Sequence, residues 1–549
     1  MKKVNIKKLI YISIFWIIIS IQFIIGSNLQ NKGYSINSIS ELFLSLLKII
    51  LLSCTFTELH YFILEFLKKH KKQNVEDKNK NYKINKYNGI IYFIIIIIAW
   101  IPTLLAFFPT IQNYDGVYQI QQCYYNIISA FHPILHTMII SICYMLGKTY
   151  LQSTTIGLLL YSILQMTVMA LIFSYSVKFI EEKTNKKWLR NISLAFFAVF
   201  PIIPLFSIMT TKDVMFAGFM LLFVVNLYKI YEEKNQLSDY IFFIIISTLM
   251  VLFRNNAIYA VLGLIPFIIL ILRENKKAIK VSAILIILTI LSYKLLYIWL
   301  MNINDATLGS NKEKMSVFSQ AVAKVCNEKE EELTEEEKNI ISYFFSDYKR
   351  LGKVYLPNIS DNTKNLIRCD NVELHQKEFY KLIIQLGKKY PRIYVDSFLN
   401  TIRGYWYIND TSFSIIKQDQ FPDTFGYFEL PFYENENEQE CIVKGYSFIP
   451  ELKEFDRYMF CKNNYRKIPI LYILFQPATY FYMVIAYLLY SLYKKKKINL
   501  IVGMFLLLYF ATCFLGPVAL VRYIYGVILS APILLSSIVK DKKEEENEK

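Results

Sequence analysis

Paired cysteines, a removable leader and internal repeats are all missing from this chain of 549 residues. The eight cysteines include no CxxC pair and no zinc spacing, which argues against the common structural zinc modules. The apolar stretch 9–25 is followed by Gly26-Ser27-Asn28, a poor signal-peptidase site, so we predict a retained helix there. The sequence shows no internal repeat, whereas many transporters are built from repeats related by symmetry.

Hydrophobic residues are abundant instead, at 54% of the chain, with 16% aromatic residues. Long apolar runs separated by basic clusters are typical of polytopic membrane proteins. The net charge of +17 does not indicate nucleic acid, because Lys and Arg sit mostly in short loops beside the apolar runs. That pattern marks loops that face the cytoplasm. The composition therefore predicts an all-α polytopic protein embedded in a lipid bilayer.

Thirteen apolar stretches are candidates for crossing, since about 20 apolar residues span a bilayer core. They are 9–25, 42–67, 90–108, 133–147, 153–177, 191–209, 213–229, 239–253, 255–272, 278–300, 468–492, 499–516 and 518–539. The basic loops all lie on the cytoplasmic side only if one of the apolar stretches before residue 178 does not cross the membrane. The stretch 133–147 is the shortest there, so we predict a re-entrant or juxtamembrane helix and about twelve spans.

This topology puts both termini in the cytoplasm and divides the chain. We predict a transmembrane module over 1–300 with a first external loop at 109–132, an extracellular domain over 301–467, transmembrane helices over 468–540 and a charged cytoplasmic tail at 541–549. The extracellular domain lacks a basic excess, with 23 Lys and Arg against 26 Asp and Glu. We expect it to be mainly α or α+β, with one helix at 315–326 and another capped by Thr334 and Glu337.

A polar island, Gln112 to Gln119, contains the residue of greatest interest, Asp115, between apolar stretches. An acid beside a membrane span is costly unless it has a partner or a function. The topology brings further polar residues to the same outer boundary. They are Gln119, His132, Lys212, Asp213, Arg254, Arg403 and Arg522. Carboxylates and cations at one boundary form a candidate site for a phosphate-bearing lipid donor and a hydroxyl acceptor.

Each of these residues has a simpler interpretation. Asp115 could be a surface acid, Lys212 and Asp213 an interfacial pair or a helix start, and Arg254 and Arg522 snorkelling anchors. His132 and His136 have metal-compatible spacing but no third ligand, which favours packing. The aromatic residues Tyr405, Trp406 and Tyr407 form either an interfacial belt or a sugar-stacking platform. Four cysteines form disulfides or stay free thiols: Cys326, Cys369, Cys441 and Cys461.

At these residues the chain resembles the GT-C class of integral-membrane glycosyltransferases. Asp115 matches the acid of their first external loop, His132-Pro133 the following pair, Asp213 the acid of a second loop and Arg522-Tyr523 their late Arg-Tyr. The chain is most similar, over about 100–530, to an uncharacterised family of bacterial multi-pass proteins of unknown function. Three stretches carry that likeness: Phe318 to Lys324, Leu333 to Lys338 and Tyr355 to Lys364.

The resemblance implies a GT-C-like fold in a bacterial plasma membrane and transfer of a sugar from a polyprenyl-phosphate donor to a cell-surface glycopolymer. Asp115 would be the base, and Lys212, Arg254 and Arg522 would hold the donor phosphate. Asp213, His132, Gln119 and Arg403 would support them, and residues 405–407 would stack on the acceptor. The resemblance assigns no definite cofactor; Asp115 and Asp213 leave open a divalent cation, Mg²⁺ or Mn²⁺. The oligosaccharyltransferase motif Trp-Trp-Asp-Tyr-Gly is absent. The alternative function is a transporter or flippase of lipid-linked saccharides.

Overall fold

The computed structural model describes residues 5–71, 87–232, 235–309, 311–411, 441–461 and 464–539. Within these residues the secondary structure is helical, with isolated bridges and no strand. The mainly α alternative for segment 301–467 therefore holds for its described part. The predicted tail at 541–549 lies outside the described residues.

Twelve helices precede residue 304, and they make up most of the apolar part of the molecule. They are α1 Ile6–Lys32, α2 Ile39–Lys71, α3 Asn88–Ala106, α4 Tyr114–Tyr124, α5 Ile134–Tyr150, α6 Thr154–Thr184, α7 Lys187–Val199, α8 Ile202–Ser207, α9 Lys212–Glu232, α10 Leu237–Phe253, α11 Ala257–Ile271 and α12 Lys276–Ile303. Antiparallel neighbours such as α1 with α2 and α5 with α6 pack along their lengths.

Thirteen further α-helices follow. They are α13 Ser316–Glu328, α14 Glu335–Phe344, α15 Tyr348–Lys353, α16 Asp361–Lys364, α17 Cys369–Leu374, α18 Gln376–Lys389, α19 Pro391–Thr401, α20 Arg403–Trp406, α21 Pro450–Asp456, α22 Pro469–Phe475, α23 Pro477–Lys494, α24 Lys497–Cys513 and α25 Tyr525–Ile538. The predicted helix at 315–326 is confirmed as α13. The predicted cap is confirmed too, because Glu337 N donates to Thr334 Oγ1 and Thr334 N to Glu337 Oε2.

Six helices of the described chain are long and apolar enough to cross a bilayer: α1, α2 as far as Glu65, α3, α6, α9 as far as Tyr231, and α12. The shortest, α3, has 19 residues and so a length of about 28 Å, against a hydrocarbon core of about 30 Å. Shorter apolar helices are α10, α11, α24 and the stretch Arg522–Ile538. These helices identify a helical membrane protein, while twelve crossings and the orientation of the termini stay predictions.

Two predicted spans are broken by proline. The stretch 191–209 is not one helix, because α7 ends at Val199 and α8 starts after Phe200-Pro201. The stretch 468–492 is bent by 72° between α22 and α23, at Gln476-Pro477. Phe200 and Gln476 both have extended backbone, as expected of residues that precede proline. If α22 and α23 together form one bent span, the number of candidate spans in the described chain rises from six to seven.

Segment 301–467 contains two different environments. Helices α13 to α19 enclose a hydrophobic core of their own, which includes Val322, Leu351 and Phe379. After Ile402 most buried apolar residues instead join the large core formed with the long apolar helices, while Cys441 and Val443 join a small cluster with residues of α4 to α6. Helices α13 to α19 therefore form a unit with a core separate from that of the long apolar helices.

The helical unit rests on the turn between α1 and α2. Lys324 Nζ donates to the carbonyl oxygen of Gly33 at 3.0 Å, and the Ser35 amide donates to Asp396 Oδ1 at 3.0 Å. A second attachment joins Ser360 N to the carbonyl oxygen of Pro517 at 2.9 Å. These contacts place the unit at the end of the bundle where α25 begins.

The cysteines of segment 301–467 do not form the disulfides that the sequence left open. Cys326, Cys369 and Cys441 are thiols in the described structure, and the side chain of Cys461 lies outside it. Burial raises the pKa of the Cys326 thiol to about 12, so this group stays protonated at neutral pH.

Candidate functional site

Asp115 lies in the first turn of α4, where local sequence favours an acid. The Asn113 side chain caps the helix by accepting from the Asp115 amide at 3.0 Å. The N-terminus of a helix carries partial positive charge, which stabilises a carboxylate in the first turn. The carboxylate of Asp115 is thereby presented at the end of the helix.

A close contact between two loops brings this helix beside the start of α9. Ile111 N donates to the carbonyl oxygen of Ile208, and Thr210 N donates back to that of Ile111 at 2.9 Å. Gly116 packs against Thr210 so closely that a Cβ would lie 2.3 Å from the Thr210 carbonyl oxygen. Only glycine allows this approach, which puts Asp115 next to Lys212.

Five charged residues meet at this point and form what we call the charge cluster: Asp115, Lys212, Asp213, Arg254 and Arg522. Lys212 Nζ lies 2.6 Å and Arg522 Nη1 2.8 Å from Asp115 Oδ2. Arg522 Nη1 also bridges to Asp213 Oδ2 at 3.1 Å, and Arg254 Nη1 binds Asp213 Oδ1 at 2.6 Å. The three cations and two carboxylates leave a formal charge of +1.

The charge cluster has an inner and an outer part. Asp213 is 1% exposed, whereas Arg522 is 7%, Arg254 12%, Lys212 16% and Asp115 19% exposed. The inner carboxylate, that of Asp213, binds two guanidinium groups, so we expect its role to be structural. The outer pair, Asp115 and Lys212, is the part that a ligand reaches first.

The state of Asp115 follows from its two cations. Burial acts to raise the pKa of Asp115, but the Lys212 ammonium and the Arg522 guanidinium hold the pKa well below its ordinary value. Both cations contact Oδ2, and in the described structure Oδ1 accepts no hydrogen bond. Asp115 is therefore an ionised carboxylate with one oxygen available to a ligand.

His132 completes the outer edge of the site. Its Nδ1 lies 3.2 Å from Lys212 Nζ, and an ammonium can only donate, so Nδ1 accepts and the ring proton sits on Nε2. Burial and then the charge of Lys212 lower the pKa of His132 to about 3. This neutral imidazole carries no charge with which to form an ion pair, but its Nε2 can donate a hydrogen bond.

A buried hydrogen-bond chain lies behind the charge cluster. His136 contacts the Gln119 side chain through Nδ1 at 2.9 Å and Tyr161 OH through Nε2 at 2.8 Å. Tyr161 OH donates to Gln165 Oε1, and Gln165 Nε2 donates to the carbonyl oxygen of Met209 at 2.9 Å. The chain thus ties the helix of Asp115 to the loop that precedes Lys212.

Sequence reasoning named Gln119 as a supporting residue of the site and favoured a packed His136, but it missed Tyr161 and Gln165. A signal for them was present, because both polar side chains lie four residues apart on the long apolar helix α6. Polar groups inside a membrane helix usually face a partner within the protein.

The structure does not bring every predicted residue to the charge cluster. Arg403 is buried, with Nε donating to Asp410 at 2.8 Å and Nη1 to Asn400 at 2.6 Å. Tyr405, Trp406 and Tyr407 are also buried, in the large hydrophobic core. Burial leaves these three rings no exposed face on which a sugar could stack.

The donor set does not fit a divalent cation as the chain stands. Asp115 and Asp213, the two carboxylates offered for Mg²⁺ or Mn²⁺, are each bound to cationic side chains. The described residues contain no group of three or more His, Cys, Asp or Glu side chains placed to share a metal ion. The chemistry argued below uses the side chains alone.

Asp213→Asn is expected to destabilise the protein more than Asp115→Asn. The substitution removes the carboxylate that neutralises two buried guanidinium groups, and breaking a buried ion pair costs about 3–5 kcal/mol. Asp115→Asn leaves Arg522 paired with Asp213, so its cost is smaller. Thermal unfolding of the two purified variants in the same detergent measures the difference. Equal unfolding temperatures would contradict the structural role of Asp213.

Comparison with known proteins gives one informative match. No curated protein and no solved structure matches the chain. A model of the family of unknown function DUF6020 covers residues 125–549, a range that begins after Asp115 and includes the other four members of the charge cluster. The likeness to an uncharacterised family is thereby confirmed, while the glycosyltransferase class stays a prediction. Because the match covers most of the chain, the protein belongs to the family of unknown function DUF6020.

Proposed function

We propose that the protein is a bacterial plasma-membrane glycosyltransferase. It would move a sugar from a polyprenyl-phosphate donor to a cell-surface glycopolymer, or to another acceptor, at the outer face. The observation that carries the proposal is the charge cluster, in which the partly exposed carboxylate of Asp115 lies beside Lys212 and Arg522, with Arg254 bound to Asp213 behind them. Sugar transfer from a lipid phosphate needs both a base for the acceptor and cations for the leaving group.

The cations supply the site for the donor phosphate. Lys212 and Arg522 now bind Asp115 Oδ2, so an incoming phosphate competes with this carboxylate for the same hydrogen-bond donors. Arg254 lies behind these two cations, where it binds Asp213 and packs over the ring of Tyr523. The centroid of that ring lies 4.5 Å from the guanidinium carbon of Arg254. Charge-assisted hydrogen bonds to phosphate are about twice as strong as neutral ones.

Asp115 supplies the base. Loss of its two cations to the phosphate raises the pKa of the carboxylate toward its ordinary value, which strengthens it as a proton acceptor. Asp115 takes the proton of an acceptor hydroxyl, whose oxygen bonds to the anomeric carbon of the donor sugar. The bond from that carbon to the phosphate oxygen breaks, and the electron pair leaves with the phosphate. Lys212 and Arg522 stabilise the charge that develops there.

The acceptor side has aromatic rings at its edge. Tyr114, Tyr118 and Phe131 are exposed, and they flank Asp115 and His132. The rings of Tyr118 and Phe131 meet the His132 ring edge-on, with centroids 5.5 and 4.9 Å apart. These residues provide the exposed apolar faces against which a sugar ring packs, a role that the buried residues 405–407 cannot fill.

The direct test supplies membranes with a lipid-linked sugar labelled in the sugar. Membranes that contain the protein are expected to move the label into polymer, and membranes that lack it are not. A flippase would instead move intact labelled lipid between the leaflets of proteoliposomes and leave none in polymer. Translocation without transfer would replace the enzyme proposal with the transporter.

A further inference from the structure

A second polar site lies between α1 and α2, away from the charge cluster. A cavity of about 170 Å³ opens between the two helices near their connecting turn. Its polar lining residues are Ser27, Asn28, Lys32, Glu41, Ser45 and Lys48. The volume is more than five times the roughly 30 Å³ that one water takes up in the liquid, enough for a phosphate group.

Lys48 is the unusual member of this lining. It lies nine residues after the first residue of α2, about 13 Å along the helix and inside a candidate membrane span. The carboxylate of Glu41 binds Lys32, and no carboxylate of the described residues pairs with Lys48. An ammonium at this depth is stabilised by a counter-charge, so an anion bound in the cavity would offset the charge of Lys48.

Ser45 points to the same conclusion independently. The residue is 4% exposed and lines the cavity one turn before Lys48, and within the described residues no hydrogen bond engages its hydroxyl, which is open to the cavity. Buried hydroxyl groups are nearly always hydrogen-bonded. The cavity therefore holds a donor and a cation with nothing to bind, and its lysines exceed its carboxylates by one.

Lys294 resembles Lys48 in depth and exposure but lies on another helix. It lies nine residues before the end of α12, inside another candidate span, and is exposed like Lys48. A lysine in this position reaches the membrane surface with its flexible chain. Lys294 does not line the cavity, so it provides a matched comparison for the charge and depth of Lys48.

We propose that the cavity between α1 and α2 binds the phosphate of a membrane lipid. Lys48, Lys32 and Ser45 would contact the phosphate oxygens. The exposed apolar residues beside them, Leu44 and Leu51, would contact the lipid tails. A lipid is favoured over free phosphate because the cavity opens beside this apolar surface within a span. The inference does not depend on the proposed glycosyltransferase.

The test uses the purified full-length chain in detergent and counts retained lipid by native mass spectrometry. Dioleoyl phosphatidylglycerol, which has a phosphate, is compared with dioleoylglycerol, which has none. We expect wild type to retain the phosphatidylglycerol only, and Lys48→Gln to weaken retention by roughly tenfold, as for loss of one hydrogen bond to a charged group. Lys294→Gln is expected to retain the lipid as wild type does.

Ser45→Leu fills the cavity without altering its charge, and it is expected to weaken lipid retention as well. This variant keeps the test decisive if Lys48→Gln does not fold. Equal losses in Lys48→Gln and Lys294→Gln, or equal retention of both lipids, would overturn the proposal. Release of phosphatidylglycerol by millimolar inorganic phosphate would overturn the lipid source and identify a site for the free anion.

Discussion

Asp115→Asn is expected to lower the rate of sugar transfer by about 10²–10⁴-fold while donor binding is kept or strengthened. A positioned general base contributes a factor of this size. The same substitution removes the anion that now occupies Lys212 and Arg522, so the donor phosphate no longer competes with it. A lower turnover number combined with an undiminished donor affinity is expected of a base whose carboxylate also competes with the donor phosphate for Lys212 and Arg522.

The measurement compares transfer rate and donor affinity for wild type and variant in the same membranes. Asp305→Asn is the matched control, since Asp305 is an exposed acid at the end of α12 whose positive φ suits Asn as well as Asp. Because the wild-type Asp115 pKa is held low, its carboxylate is ionised throughout the range of about pH 6 to 8. Normal transfer by Asp115→Asn at normal expression would remove Asp115 from the base role.

Arg522→Gln is expected to weaken donor binding by at least about tenfold and to destabilise the fold. Arg522 Nη1 bridges Asp115 and Asp213, and hydrogen bonds to charged groups are worth about 1.5–3 kcal/mol each. Its loss removes one of the two guanidinium groups that bind the buried Asp213 in the described part of the chain. Both donor affinity and unfolding temperature should therefore fall.

Arg522→Lys separates charge from geometry in this test. It keeps the positive charge but loses the planar fork that reaches two acceptors, so we expect an intermediate donor affinity. Arg368→Gln, at an exposed arginine of the helical unit, controls for the loss of one positive charge. Donor affinity equal to that of wild type in Arg522→Gln would assign Arg522 a purely structural role.

The candidate site could be anticipated from the sequence to a useful degree. Asp115, Lys212, Asp213, Arg254 and Arg522 were grouped because apolar run lengths and basic loops place all five at one membrane boundary. That argument works because a charge inside a bilayer is costly and each crossing reverses the side of the chain. That argument could not predict the individual ion pairs, since residues such as 115 and 522 are distant in sequence.

Other features could not be obtained in this way. Tyr405, Trp406 and Tyr407 have the composition of a sugar platform, yet they are packed among apolar helices. Arg403 was assigned to the site and instead binds Asp410. Hydrophobic patterning cannot distinguish an aromatic ring that faces a ligand from one that faces a neighbouring helix, because both are apolar and lie at similar depths.

By itself the sequence determined that this is a helical membrane protein with its charged residues collected at the ends of apolar segments. That outcome depends on local quantities, namely hydropathy, helix length and proline position. The tertiary structure alone decided that Gly116 lets α4 approach Thr210, that Arg522 bridges two carboxylates, and that Lys48 faces a cavity. Those facts depend on distances between residues far apart in the chain, which only the packed fold sets.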